Sequence, residues 1–238
     1  MAVQINDIWR RLLSWIAHNL NGENFKVEDT MKIMEQFHAS GRILDYNLED
    51  ELNHGIYVSN MAYLVAKELG LPEEEQREIA VAGVVHDIGK LKLNDFYDEK
   101  NKLVVEEMRY VRMHSMLSYE ILKQYEYSDY VLETVLYHHE NYDGTGYPKN
   151  LSGEDIPMGA RIIRVCDTFA ALTSDRPYRK HFDLETTLEL MIDEVKNFDM
   201  QVFLALQRVA HEVGLKYKTN VIKHPAGVPL CQDAWHNE

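Results

Sequence analysis

The sequence predicts an all-α fold: a helical bundle carrying a buried multinuclear metal site. Three observations carry this. Apolar residues recur at three- and four-residue spacing, and Gly, Pro, Asn and Asp mark where each such segment starts or stops. Histidines and aspartates stand at the ends of apolar segments, as His86-Asp87 and His138-His139, where burial is costly unless they are paired or bind a metal. These residues lie far apart in the chain, from His54 to Asp167, so only converging helices could bring them to one internal centre.

In order, Ile5, Ile8, Trp9, Leu12, Leu13, Ile16 and Leu20 place an amphipathic helix over 4–20, stopped by Asn21-Gly22. A second short helix over 27–39 turns Val27, Met31 and Met34 inward. Together they make an N-terminal helical extension, residues 1–46. Asn47 caps a long helix running to Leu69, which Gly70 closes. Pro72 and three glutamates open the next helix, which turns apolar and delivers His86-Asp87-Ile88-Gly89-Lys90. Residues 91–104 read as an irregular loop. Helical spacing returns from about 105 to 125, with His114 on a stripe shared by Val111, Ser118, Ile121, Leu122 and Tyr125.

A buried helix over about 130–140 ends on both histidines and runs into a glycine-rich loop closed by Gly146-Tyr147-Pro148. Pro157 starts a helix that carries Asp167 within an apolar run. Two more helices follow, capped by Asp183 and Asp199 and stopped at Gly214. The main domain is thus expected over 47–214, with a tail over 215–238.

The 238 residues carry a formal net charge of −14, which argues against a nucleic-acid polymer as partner. No apolar run approaches the ~20 residues of a spanning helix. The N-terminus shows no signal-peptide pattern. A soluble cytoplasmic protein without a membrane partner is the expectation. Cys166 sits in an apolar helical run and reads as a buried free thiol.

Taken singly, each candidate has a plain structural explanation. Asp50 and His54, four apart, suit a charge–dipole pair on a solvated face as well as two ligands presented together. Asp167 suits a cap or a salt bridge to Arg161 or Arg164 as well as a ligand. Neighbouring side chains on a helix point about 100° apart, so His138 and His139 are expected to serve two adjacent ions, one each. Imidazoles and carboxylates without thiolates make a nitrogen–oxygen site suited to Fe, Mn, Zn, Ni or Co. Asp87 could bridge two ions, and a hydroxide held between them would attack phosphorus in line. Lys90, Arg176 and Arg179 would neutralise phosphate charge. The residues therefore point to a metal-dependent phosphohydrolase.

His86-Asp87-Ile88-Gly89-Lys90, the intervening His114 and the stretch from His138 to Pro148 together resemble the HD-GYP domain, a subgroup of the HD phosphohydrolases. The likeness runs from about 47 to about 213, and Leu172 to Arg179 resembles the family's downstream pattern. It implies an HD-type helical bundle and hydrolysis of cyclic di-GMP to pGpG and GMP, with related cyclic dinucleotides as substrates of some members. By resemblance, His54, His86, Asp87, His114, His138, His139 and Asp167 match metal ligands, and Asp87 and Lys90 the catalytic pair. Lys90 matches a residue contacting phosphate or the nucleophile. Arg176 and Arg179 match substrate-phosphate clamps, and Tyr147 shapes the pocket. Asp50 stands where members with three metals have a glutamate. The cofactor expectation is two or three divalent ions, with Fe or Mn ahead of Zn, Ni and Co.

Departures from the family pattern at Asn141, Leu91 to Asn94 and Ser115 bear on lid shape, substrate preference and activity level, because no ligand is lost. Two other readings stand beside cyclic di-GMP hydrolysis. One is an HD phosphohydrolase of another nucleotide; the other is a non-catalytic cyclic-dinucleotide receptor. The N-terminal helices suggest a homodimer or a sensor-protein partner.

Overall fold

The computed structural model describes residues 48–90, 111–175 and 180–213, with side chains from residue 53 onward. Among these residues are seven α-helices, two short 3-10 turns and no strand. They are α1 (Leu48–Glu68), α2 (Glu73–Val85), α3 (His114–Leu122), α4 (Asp129–Tyr137), α5 (Met158–Thr173), α6 (Leu184–Asp193) and α7 (Met200–Val213). The expected extension over 1–46, loop over 91–104 and tail over 215–238 lie outside the described residues.

Helix boundaries follow from backbone groups that need partners. After α1, Leu71 N–H donates to the Ala66 carbonyl and Gly70 N–H to that of Lys67, at 3.1 and 2.9 Å, a Schellman closure. Ser128 caps α4 by accepting from Val131 N–H at 3.2 Å. Asp183 caps α6 through Thr186 N–H, and Asp199 accepts from Gln201 N–H at the start of α7, both at 2.8 Å.

α1 lies along α2 and also packs on α5 and α7; α4 bridges α2, α3 and α5. One apolar cluster joins Met61, Val65, Ile162, Phe169, Phe203 and Leu206 from α1, α5 and α7. A second joins Val81, Val85, Ile121, Leu122, Val131 and Val135 from α2, α3 and α4. No helix among the described residues is long and apolar enough to cross a membrane.

Two sequence expectations change. Val111, expected on the inward stripe of His114, is 43% exposed. Residues 112–113 form a turn and α3 begins only at His114, so helical phase does not extend back to Val111. The helix expected to about 140 stops at Tyr137, with His138 as its C-cap.

Cys166 is a free thiol with no exposed surface, and burial pushes its pKa up, with Asp167 adding to the shift. A thiol held protonated and out of contact with solvent is a poor nucleophile. Native protein is expected to leave Cys166 unmodified by a thiol-specific reagent under conditions that label it fully in denaturant. Rapid labelling of Cys166 in the folded state, located by peptide mass, would contradict this burial.

Candidate metal centre

The centre is built where helices end. α2 stops at Val85, and His86 is its C-cap, followed by a turn that carries Asp87. That turn is docked on α3: Ser118 Oγ accepts from Gly89 N–H at 2.8 Å and donates to the His86 carbonyl at 2.7 Å. The approach is close enough that a Cβ on Gly89 would lie 2.2 Å from the His114 carbonyl oxygen. This contact brings His114 against Asp87.

Two groups of ligand atoms result: Asp87, His114, His138 and His139; and His54, His86 and Asp87, with all ligand atoms within 4.8 Å of one another in each. Asp87 belongs to both. Its Oδ1 lies 3.1 Å from His114 Nε2 and 3.9 Å from His138 Nε2, while its Oδ2 lies 3.1 Å from His86 Nε2. Asp167 closes the second group from α5, its Oδ1 2.9 Å from His54 Nε2 and 3.9 Å from His86 Nε2. Neither a cap nor a salt bridge to a neighbouring arginine describes Asp167. Arg161 pairs with Asp199, and Arg164 donates to Asn141 Oδ1 and Thr168 Oγ1.

The division of the paired histidines between two ions is not what the geometry favours. His138 and His139 fall in one ligand group, with ring centroids 4.1 Å apart. The 100° separation holds inside a helix, and α4 has already ended, so the turn at 138–139 lets both rings face the same point.

Three of the rings have a defined tautomer. Nδ1–H of His86 donates to the Gly83 carbonyl at 2.8 Å, that of His138 to Val135 at 2.6 Å, and that of His114 to Val111. A carbonyl only accepts, so each Nδ1 carries a proton, and each Nε2 offers an inward lone pair whenever its ring is neutral. His114 Nε2 then approaches His138 Nε2 to 3.2 Å and His139 Nε2 to 3.0 Å. At 3.2 Å the His114 and His138 lone pairs face each other and repel unless a cation lies between them. His139, whose tautomer is not fixed, can donate to His114.

Electrostatics agree. Burial opposes ionisation of Asp87, yet His86 and Lys90 outweigh it and hold the carboxyl well below its usual range. Asp167 is likewise held low against burial by His54 and His86. Burial pulls His86 down, but Asp87 and Asp167 raise it to about 9, so in the ion-free protein a proton occupies a place that attracts positive charge. His139 is driven down to about 3, and His138 also far down, chiefly by burial, which keeps both as neutral donors. Buried His86 Nε2, Asp87 Oδ1 and His54 Nδ1 have no hydrogen-bond partner. The donor set fits divalent metal ions.

Metal loading is therefore expected to raise the melting temperature by several degrees through mass action. Chelation should reverse the rise in calorimetry. Identical melting curves with and without saturating Mn²⁺ would count against a bound ion.

Of the other predicted residues, Lys90 donates from Nζ to Asp87 Oδ2. Tyr147 stacks on His139 with centroids 4.9 Å apart. Asp50 lies one turn before His54 on α1, but its side chain is outside the described residues, as are Arg176 and Arg179 entirely. Sequence reasoning missed three supports. Ser118 docks the His86 turn. Glu140, 1% exposed, accepts from Lys149 and Leu151 N–H at 2.6 and 3.1 Å and anchors the loop. Arg164 braces the loop through Asn141. The acid directly after two buried histidines and before a glycine-rich loop was the available signal for Glu140. That loop folds so tightly that a Cβ on Gly146 would lie 2.2 Å from Asn141 N, which explains the glycine there.

Residues 34–202 match the family model described as HD domain. The chain is 41% identical over 155 residues to the cyclic di-GMP phosphodiesterase response regulator RpfG of Xanthomonas campestris pv. campestris, covering 63% of this chain and 41% of that protein. It is 32% identical over 218 residues to the 3'3'-cGAMP-specific phosphodiesterase 1 of Vibrio cholerae, covering 88% of this chain and 49% of that protein. It thus spans less than half the length of these curated relatives. Among solved structures, Bd1817, a HDG"Y"P protein from Bdellovibrio bacteriovorus, superposes with a TM-score of 0.59 at 18% identity, over 87% of this chain and 71% of that one. That likeness shows the fold. With a match across most of its length and a buried cluster of histidines and aspartates of the kind just described, the chain belongs to the HD domain family.

Proposed function

We propose that this chain is a metal-dependent phosphodiesterase that hydrolyses cyclic di-GMP to pGpG and on to GMP. The observation that supports it most is the placement of Asp87, which turns one carboxylate oxygen toward each of two histidine groups. His54, His86, Asp87 and Asp167 would hold one ion; Asp87, His114, His138 and His139 would hold the other. Asp50 is the candidate for a third. These nitrogen and oxygen donors suit Fe, Mn, Zn, Ni or Co, and the family resemblance puts Fe or Mn first. When bound, such a pair would supply an activated water and offset the charge that builds up on phosphorus.

The protein's own groups have separate tasks. Lys90, paired to Asp87, keeps the carboxylate ionised and oriented and presents a cation to the phosphodiester. Tyr147, laid over His139, fixes that ring and walls the pocket. Arg176 and Arg179 clamp phosphate oxygens, a task suited to planar guanidinium groups.

A second cyclic dinucleotide is favoured by the relative named a 3'3'-cGAMP-specific phosphodiesterase, whose match covers more of this chain than that of RpfG. The test is product identification from metal-loaded protein given cyclic di-GMP, 3'3'-cGAMP or a linear nucleotide, with metal content measured on the same sample. Appearance of pGpG from cyclic di-GMP is expected. Faster turnover of 3'3'-cGAMP would move the substrate assignment. Turnover of linear nucleotides alone, or binding without product at every metal loading, would overturn the phosphodiesterase reading.

A further inference from the structure

We propose that Arg112 is a substrate-binding residue that holds the non-scissile phosphate of the cyclic dinucleotide; this rests on the phosphodiesterase reading above. Arg112 is exposed, in the turn just before α3. Its guanidinium carbon lies 5.4 Å from the centroid of the Tyr147 ring. Tyr147 in turn stacks on His139, a member of the four-residue ligand group. Guanidinium, phenol and imidazole thus form a continuous series from the surface to the metal centre.

The other described cations near the centre are already engaged. Lys90 is bound to Asp87 and serves the reacting phosphodiester there, and Arg164 is taken up by Asn141, Thr168 and the face of Phe198. Among the described residues no carboxylate pairs with Arg112. In a chain of net charge −14, a guanidinium beside the centre that meets no carboxylate among the described residues stands out. Lying over a ring occupies a guanidinium's face and leaves its N–H edge available. It also restrains a side chain that would otherwise lose rotamer freedom when it binds. Five coplanar donors, set beyond the Tyr147 ring from the ligand group, suit the oxygens of a second phosphodiester better than a neutral base edge. A substrate with one phosphate would not reach both.

The test compares wild type, Arg112→Ala and Arg112→Lys in steady-state hydrolysis of cyclic di-GMP, with metal content and melting temperature measured for each. For Arg112→Ala the KM is expected to rise about ten-fold, the loss of one charge-assisted phosphate contact. kcat and bound metal should stay within about two-fold, because a contact made equally in ground and transition state acts on KM. Arg112→Lys keeps the charge and should recover part of the loss. An unchanged KM in Arg112→Ala would overturn the assignment while leaving the phosphodiesterase reading in place. A fall in kcat together with loss of metal would also overturn it, by showing that Arg112 acts through Tyr147 and His139. No turnover of any cyclic dinucleotide by wild type would remove both.

Discussion

Replacing Asp87 with asparagine is expected to abolish hydrolysis, lowering turnover at least about a thousand-fold, beyond the 10²–10³ lost with a single oxyanion donor. Asp87 is shared: Oδ1 faces His114 and His138, and Oδ2 faces His86. An amide offers one oxygen and a donor where two anionic oxygens stood, so one group receives N–H against an imidazole nitrogen and both lose the charge. Metal content should fall in parallel. The ion-free variant should lose stability, because a neutral side chain at position 87 no longer balances the Lys90 and His86 charges beside it. Thermal unfolding separates loss of charge balance from loss of metal: ion-free Asp87→Asn should melt below ion-free wild type, and adding Mn²⁺ should not raise its melting temperature. A variant that retains metal and turns over near the wild-type rate would refute a shared ligand.

Substituting Gly89 with alanine should be strongly damaging although it touches no ligand. The added Cβ would lie 2.2 Å from the His114 carbonyl oxygen, 2.5 Å from Ser118 N and 2.8 Å from Ser118 Oγ. Two of these are backbone atoms, so relief requires the 86–89 turn to separate from α3. Overpacking of this kind costs about 3 kcal/mol or more. The separation also withdraws His114 from Asp87, so metal content should drop with stability. Ser118→Ala provides the comparison: it removes the hydroxyl linking Gly89 N–H to the His86 carbonyl without adding bulk. It should cost about 1–3 kcal/mol for the unsatisfied buried amide. Urea unfolding of the chelated proteins ranks the two, and a Gly89→Ala midpoint at or above that of Ser118→Ala would mean the turn and α3 are not in tight contact.

Much of the centre could be read without coordinates because its donors are chemically conspicuous. Histidine and aspartate at the ends of apolar helices need a reason to be buried, and His86-Asp87 and His138-His139 declare that need locally. The supports were less visible. Ser118 and Glu140 are ordinary polar residues whose importance lies in which backbone amides they reach, a matter of packing. Val111 departs from the periodic pattern because a turn at 112–113 breaks the helical phase.

By itself the sequence determined the helical character of the described segments, the caps at Asp183 and Asp199 and the nitrogen–oxygen character of the donor set. These depend on neighbours a few positions away and on side-chain chemistry. The tertiary structure alone decided how the donors are grouped: that Asp87 divides its oxygens, that both adjacent histidines turn to one group, and that Arg112 lies over Tyr147. Such choices depend on where helix ends meet after α2, α3, α4 and α5 pack, and a shift of a few ångströms there regroups the ligands without altering any local pattern.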